Sequence, residues 1–300
     1  MITFLPIAIL AYALNGVSLV IDKSLIKQSI PNPLVYTFYV SFLQILVVFL
    51  IPFGFKFSWD SGFYLAVISG AVSVLALYAF FTALKLNAAS IVGPIVGSLN
   101  PLFSAIIGGI FLSQLLTTNQ YLAIGVLLTG ALMLTFNQTF LKIELGRKFW
   151  WMVLAGLLFA ISYVLLRAAF LQESFINVLI ISRVAAGVIT LAFLISPQLR
   201  NSIFHQKNSP ANSKMVWLFL GIGQIMGAVQ GLLLAYAVAL ASPAVVNSLF
   251  GVQYIVILIA AAVLYRNYPH LLDENLTKLV VLQKMAGVAV LSFGLYLLTQ

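Results

Sequence analysis

Residues 83–97 read ALKLNAASIVGPIVG, and residues 237–251 read AVALASPAVVNSLFG. Aligned without gaps, Ala83 meets Ala237, Leu86 meets Leu240 and Gly97 meets Gly251. Each stretch joins two apolar runs of about 20 residues, the length a helix needs to cross a bilayer. Working outward, ten such runs are found: 2–21, 34–53, 62–84, 88–112, 119–137, 149–170, 175–196, 214–239, 244–265 and 279–298. The gaps carry turn and polar residues, such as Pro31-Asn32-Pro33, Asp60-Ser61-Gly62 and Asn208-Ser209-Pro210. The longest gaps, around 197–213 and 266–278, read as loops. The fifth and tenth runs also match, Ala123…Gly130 against Gly287…Gly294. Both likenesses recur at the same place in a five-helix unit, which favours a duplication. A unit with an odd number of spans is inverted relative to its copy. The expected fold class is therefore an all-α integral membrane protein, ten transmembrane helices arranged as two inverted five-helix repeats. The repeats are expected at residues 1–140 and 141–300. Inverted repeats mark transporter folds, with the substrate near the midplane between the halves.

Composition agrees with this reading. Of 300 residues, 63% are hydrophobic and 7% charged, against about 45–50% and about 25% in a soluble domain. The excess belongs to a surface facing the lipid bilayer. The net charge of +9 does not read as a nucleic-acid signal, because the cations lie singly in gaps between apolar runs and form no basic face. There is no cysteine, hence no disulfide framework or thiolate chemistry. The first run, Ile2 to Ile21, has no basic region ahead of it and reads as a spanning helix rather than a removed signal.

The chain resembles the drug/metabolite transporter superfamily, and within it the EamA-like ten-helix permeases. The resemblance rests on ALKLNAASIVG followed by Asn100-Pro101 and FLSQ (111–114), on the glycine-spaced fifth and tenth helices, and on Arg183 in helix seven. It covers nearly the whole chain. It departs from the family pattern at Gln114, where the family usually has Glu, at Arg266, and at Tyr39, near the place of the Arg in the first copy. The resemblance implies a cell-membrane, multi-pass permease for amino acids, metabolites or toxic amphiphiles.

Polar groups at membrane depth are costly, so each has a structural and a functional reading. In helix four, Ser90, Pro94, Gly97, Pro101, Ser104 and Gly108 share one face. That face packs closely against a neighbour or lines a cavity. Pro101 is expected to break the helix, which is tolerable where backbone lines a cavity, and Asn100 beside it would supply a neutral hydrogen-bonding group. Gly223, Gly227 and Gly231 in helix eight form a small-residue packing seam, with Gln224 beside it. In helix one, Asn15, Ser18 and Asp22 share a face; Asp22 reads as a solvated end pair with Lys23 or as part of a polar stripe. Arg183 reads as a lock onto carbonyls or as a fork for an anionic or zwitterionic ligand. Arg167 is expected to snorkel, and Lys85 to sit at an interface. Asn247, Gln253 and Tyr254 are polar in helix nine, and Tyr78 and Tyr163 fall deeper than an interfacial belt. The candidate substrate-binding residues are Asn15, Tyr78, Asn100, Pro101, Tyr163, Arg183, Gln224, Asn247 and Gln253.

Catalysis finds no support. His205 and His270 fall in loops without neighbouring acids at metal-ligand spacing, and there is no Gly-rich phosphate loop or GxSxG elbow. No metal site or cofactor is expected. The function expected is a permease moving a small neutral or zwitterionic solute by alternating access; a lipid-carrier flippase or a non-transporting scaffold would use the same helices, and a homodimer is compatible with either. Orientation is contested. Twelve cations, among them Lys85, Lys148, Arg200 and Lys214, gather on one side, against Lys56 and Arg167 on the other. The charge bias places both termini outside, whereas the family habit places them inside.

Overall fold

The computed structural model describes residues 3–28, 32–87, 89–113, 116–135, 147–204, 214–256 and 278–299. They form helices α1 (Phe4–Gln28), α2 (Pro33–Phe42), α3 (Ser61–Leu86), α4 (Ala89–Leu112), α5 (Thr118–Thr135), α6 (Arg147–Phe170), α7 (Phe175–Thr190), α8 (Pro197–Phe204), α9 (Lys214–Leu240), α10 (Pro243–Ser248), α11 (251–256) and α12 (Lys278–Thr299). No strand occurs among the described residues. Six stretches are long and apolar enough to cross a membrane: Pro33–Phe53, Ser61–Leu86, Ile95–Leu112, Lys148–Phe170, Phe175–Ile195 and Gly221–Leu240. Their outer faces carry large bare side chains, such as Phe111 at 77% and Ile195 at 82% exposure. An apolar exterior on this scale is that of a membrane-embedded protein.

Local chemistry sets the helix starts. The Asn32 carboxamide accepts from the Leu34 N–H at 3.0 Å, with Pro33 in the first turn of α2. The Asp60 carboxylate accepts from the Phe63 N–H at 2.8 Å and caps α3. Ser174 caps α7 through the Asn177 N–H.

Packing follows glycine. On α9, a Cβ at Gly223 would meet the Ile21 side chain of α1 at 3.0 Å. Between α5 and α12, a Cβ at Gly130 would meet the Leu291 amide at 2.8 Å, and one at Gly294 would meet Leu127 at 2.7 Å. The two helices therefore run antiparallel at close approach, a contact that the glycine spacing of the fifth and tenth runs had suggested only as a repeat. A core of Tyr12, Leu127, Ala131, Leu234, Val246, Leu249, Phe250 and Leu291 ties α1, α5, α9, α10 and α12 together. α3 packs against α6, α1 against α9 and α3 against α7.

Three expectations are corrected and one feature, the third below, goes beyond them. Pro101 does not break helix four: α4 runs unbroken from Ala89 to Leu112. It is packed against α6 on one flank and α10 on another, and a proline is tolerated in a helix so supported. The interruption lies across from it, in helix nine, where Leu249 and Phe250 form a turn between α10 and α11. There the ladder loosens to Phe250 N–H donating to Asn247 O at 3.2 Å and Gln253 N–H to Phe250 O at 3.1 Å. Second, the 197–213 gap is not all loop, since Pro197–Phe204 is the helix α8, held to α2 by the Tyr39 hydroxyl donating to Ile203 O at 2.7 Å. Third, helices two and seven are not uniform. Helix two changes winding midway, to 3-10 helix at Leu43–Phe53, and helix seven over its last five residues, Leu191–Ile195. Fourth, Arg167 does not snorkel. Its guanidinium turns inward onto the carbonyls of Val238 (3.2 Å) and Ala239 at the C-terminal end of α9. Those carbonyls lack helical donors and carry the negative end of the helix dipole, so a cation there closes both accounts.

Candidate functional site

The groups of interest lie at mid-depth. Tyr163 is seven residues from Phe170, Arg183 eight from Phe175, Gly231 nine from Leu240, and Gln44 nine from Phe53. At 1.5 Å or more per residue they sit about 10–18 Å from the nearest helix end.

Arg183 is the centre of one group. Its Nη1 donates to the Gln44 Oε1 at 3.2 Å. Gln44 belongs to the 3-10 half of helix two. The Arg183 Nη2 faces α9 at Gly231, where a Cβ would lie 3.7 Å from it. Tyr163 of α6 is close enough to interact electrostatically with Arg183, and Tyr12 of α1 with Tyr163. Arg183, Gln44 and Tyr163 are each only partly buried. Arg183 has no acidic partner among the described residues, so a neutral amide orients its charge without neutralising it.

A second group is closed. The Tyr12 hydroxyl donates to Asn247 Oδ1 at 3.1 Å, Asn247 Nδ2 donates to Asn100 Oδ1 at 3.2 Å, and Ser104 Oγ donates to the same Asn100 oxygen at 3.2 Å. Tyr12, Asn247 and Ser104 are buried, as is Pro101. These side chains bond to one another and lock α1, α4 and α10 beside the turn at Leu249–Phe250. Close by, Asn15 Nδ2 donates to Gln253 Oε1 at 2.7 Å, and Gly16 lets α1 approach the Gln253 carbonyl, which a Cβ would meet at 2.8 Å.

The remaining candidates stand apart. Tyr78 is half-buried, edge-on to Trp151 with centroids 5.6 Å apart. Gln224 is partly exposed on α9. Asp22, expected as a solvated end pair or a stripe residue, accepts from the Tyr36 hydroxyl at 2.6 Å within the helix one–helix two contact. Of the helix-four face, Gly97 packs on the Phe250 ring and Ser104 joins the amide lock, while Gly108 has open space beside it. The side chains of Ser90, Pro94 and Lys23, and residues 114, 205, 266 and 270, lie outside the described residues.

At the Trp59 end, Ser58 Oγ donates to Glu173 Oε1 at 3.0 Å, Asn177 Nδ2 donates to Glu173 Oε2 at 2.8 Å, and the Lys56 N–H donates to Asn177 Oδ1 at 2.9 Å. This latch ties the loop before α3 to the loop before α7. A side-chain hydrogen bond with Glu173, then the Phe63 amide, hold the Asp60 carboxyl below its usual range.

Sequence reasoning missed Gln44 and Tyr12. Both were visible as lone polar groups in apolar runs, in SFLQILVV (41–48) and ILAYALNG (9–16). What was not visible is that Gln44 meets a residue 139 positions away.

No protein-family profile matches the chain, and no curated protein matches it in sequence. Its fold is known from solved structures. One crystal structure, of a protein described by no function, superposes with a TM-score of 0.59 at 14% identity, covering 96% of each chain. At that identity the likeness is one of fold.

Proposed function

We propose that the chain is a multi-pass permease of the cell membrane, built as two inverted EamA-like five-helix repeats, that moves a small solute by alternating access. The observation that carries this is a set of equivalent contacts in the two halves, beside a seam that is packed in one half and not in the other. The register that aligns Ala83 with Ala237 aligns Ser69 with Gly223, and a second register, which sets Leu10, Ala11 and Leu14 of α1 on Leu154, Ala155 and Leu158 of α6, aligns Ser18 with Ser162. Ser162 Oγ donates to Ser69 O at 3.0 Å, and Ser18 Oγ donates to Gly223 O at 3.5 Å, so one contact occurs twice. The register that aligns Gly97 with Gly251 pairs Gly93 with Asn247 and Asn100 with Tyr254. The approach of Tyr254 to Gly93 is then the counterpart of the Asn247–Asn100 hydrogen bond. α1–α9 and α3–α6 are equivalent pairs, and α5–α12 and α4–α10 are self-paired, as a two-fold axis in the membrane plane requires.

The packed seam is α3–α7. A Cβ at Gly70 would meet the Ser182 carbonyl at 2.2 Å, and Ala66, Val178 and Leu179 close over it. Its counterpart, α2 against α9, is not among the packed pairs of the described residues. Two equivalent seams, one shut and one unpacked, are what a rocking transporter holds at any moment. Trp59 and Trp150 fit interfacial belts, lying near opposite ends of α6 about 30 Å apart.

The chain's lack of cysteine makes the test direct. Ala66→Cys with Val178→Cys should allow a disulfide across the shut seam in lipid vesicles carrying the full chain. Uptake of a labelled amino-acid mixture should be protein-dependent, stop on oxidation and return on reduction. Uptake that is unchanged with the seam locked, or absent before locking, would count against the permease.

A further inference from the structure

We propose that Arg183, framed by Gln44 and Gly231, is the carboxylate-binding end of the substrate site, so that the solute carried is a small carboxylate. This rests on the permease reading and adds the chemistry of the ligand to it.

A guanidinium at mid-depth in a membrane protein must be paired or reach water. Arg183 has neither an acid among the described residues nor a carbonyl lock of the kind Arg167 makes. Its one hydrogen bond among the described residues goes from Nη1 to the neutral Gln44 amide oxygen at 3.2 Å. That contact fixes the plane of the guanidinium and leaves the other edge, Nε and Nη2, with no partner among the described residues. This edge presents two parallel N–H donors, the geometry that grips a planar carboxylate with two hydrogen bonds. Its Nη2 faces Gly231 of α9, which has no side chain and whose Cβ position lies 3.7 Å from it. A larger residue there would occupy the place of the bound group.

Charge balance selects among anions. A phosphate dianion calls for a second cation. Arg167 is committed to the end of α9, and Lys56 and Lys85 are exposed near helix ends. One guanidinium with one carboxylate gives a neutral pair, the arrangement least costly at low dielectric. The partly exposed Tyr163, within electrostatic reach of Arg183, offers a ring and a hydroxyl to the rest of the solute. Gln44 belongs to the first half of the chain, and Tyr163, Arg183 and Gly231 to the second. A carboxylate held there therefore touches both moving parts.

The test uses the full purified chain and measures thermal stabilisation by defined probes: alanine, leucine, lactate and benzoate, each beside its neutral amide, and inorganic phosphate. The expected result is a concentration-dependent rise in melting temperature with at least one carboxylate, with its amide weaker by ten-fold or more. Gln44→Glu places an acid on the guanidinium without changing side-chain shape; it should keep the fold and abolish the carboxylate response. Gly231→Leu should do the same by occupation. An amide that binds as well as its acid, a carboxylate response that survives Gln44→Glu, preference for phosphate, or no response to any probe would each overturn the carboxylate site. The cysteine-locking experiment does not depend on Arg183, so the permease reading stands or falls separately.

Discussion

Replacing Gly70 by alanine tests the α3–α7 seam with one carbon atom. The new Cβ would lie 2.2 Å from the Ser182 carbonyl oxygen and 3.1 Å from both the Ala185 Cβ and the Ala186 amide nitrogen. Ordinary contact begins at 3.4 Å, so about 1.2 Å must be found between the helices, against backbone rather than the tip of a flexible side chain. Overpacking of this kind costs about 1–3 kcal/mol, and a backbone obstacle belongs at the upper end. Alanine returns up to about 1 kcal/mol of helix propensity, leaving a net loss of about 2 kcal/mol. Gly227 is the control, because a Cβ there would meet only the Ser18 hydroxyl, at 3.7 Å. Gly227→Ala should keep the propensity gain and stabilise by up to about 1 kcal/mol. At roughly 2–4 °C per kcal/mol, thermal melts in detergent should show Gly70→Ala lower by about 4–8 °C and Gly227→Ala level or slightly higher. Equal melting temperatures, or the reverse order, would refute the seam as described.

Asn247→Ala removes the acceptor of the Tyr12 hydroxyl and a donor to Asn100 in a buried setting; it should cost about 1–3 kcal/mol, read as a lower melting temperature, and Asn247→Asp should not restore it. Arg167→Ala leaves the Val238 and Ala239 carbonyls without their donor and should speed hydrogen exchange at the end of α9, with Arg167→Lys intermediate. For the latch, the lowered Asp60 pKa has a definite sign: the stabilisation is present above the usual carboxylate value of 3.8 and is lost as pH falls through the lower folded value. Fluorescence of the adjacent Trp59 should therefore hold steady from pH 7 to 5 and change only below about pH 4; a midpoint near pH 6 would contradict the latch geometry.

Much of the helical framework could be read from the chain because bilayer thickness dictates run length and close packing dictates glycine. Gly223 was legible as part of a packing seam, but that α1 is its partner was not; Gly130 and Gly294 were legible as a repeat and not as the place where α5 meets α12; the gaps at Asn32 and Asp60 were legible as such. The break near the amide lock lies in helix nine and not at Pro101, since Pro101 is a local signal whereas the turn at Leu249–Phe250 follows from how α10 and α11 pack. The winding changes in helices two and seven leave no composition signal, because the same apolar residues serve α and 3-10 geometry. At the site, Arg183 announced itself by its charge, but its partner Gln44, the neighbour Gly231 and the inward turn of Arg167 onto the end of α9 are products of tertiary contact.

The 3-10 winding of Leu43–Phe53 has a consequence for hydrophobic mismatch. Ten α-helical residues at 1.5 Å and eleven 3-10 residues at 2.0 Å span about 37 Å, where 21 α-helical residues would span about 31.5 Å. The hydrocarbon core is about 30 Å thick. Helix two is thus over-long by about 7 Å. It must lean across the bilayer or carry Phe49 and Phe53, 73% and 72% exposed, out toward the headgroups. A thicker bilayer would accommodate this element better than a thin one, which gives the composition of the surrounding lipid a direct mechanical hold on the helix that carries Gln44.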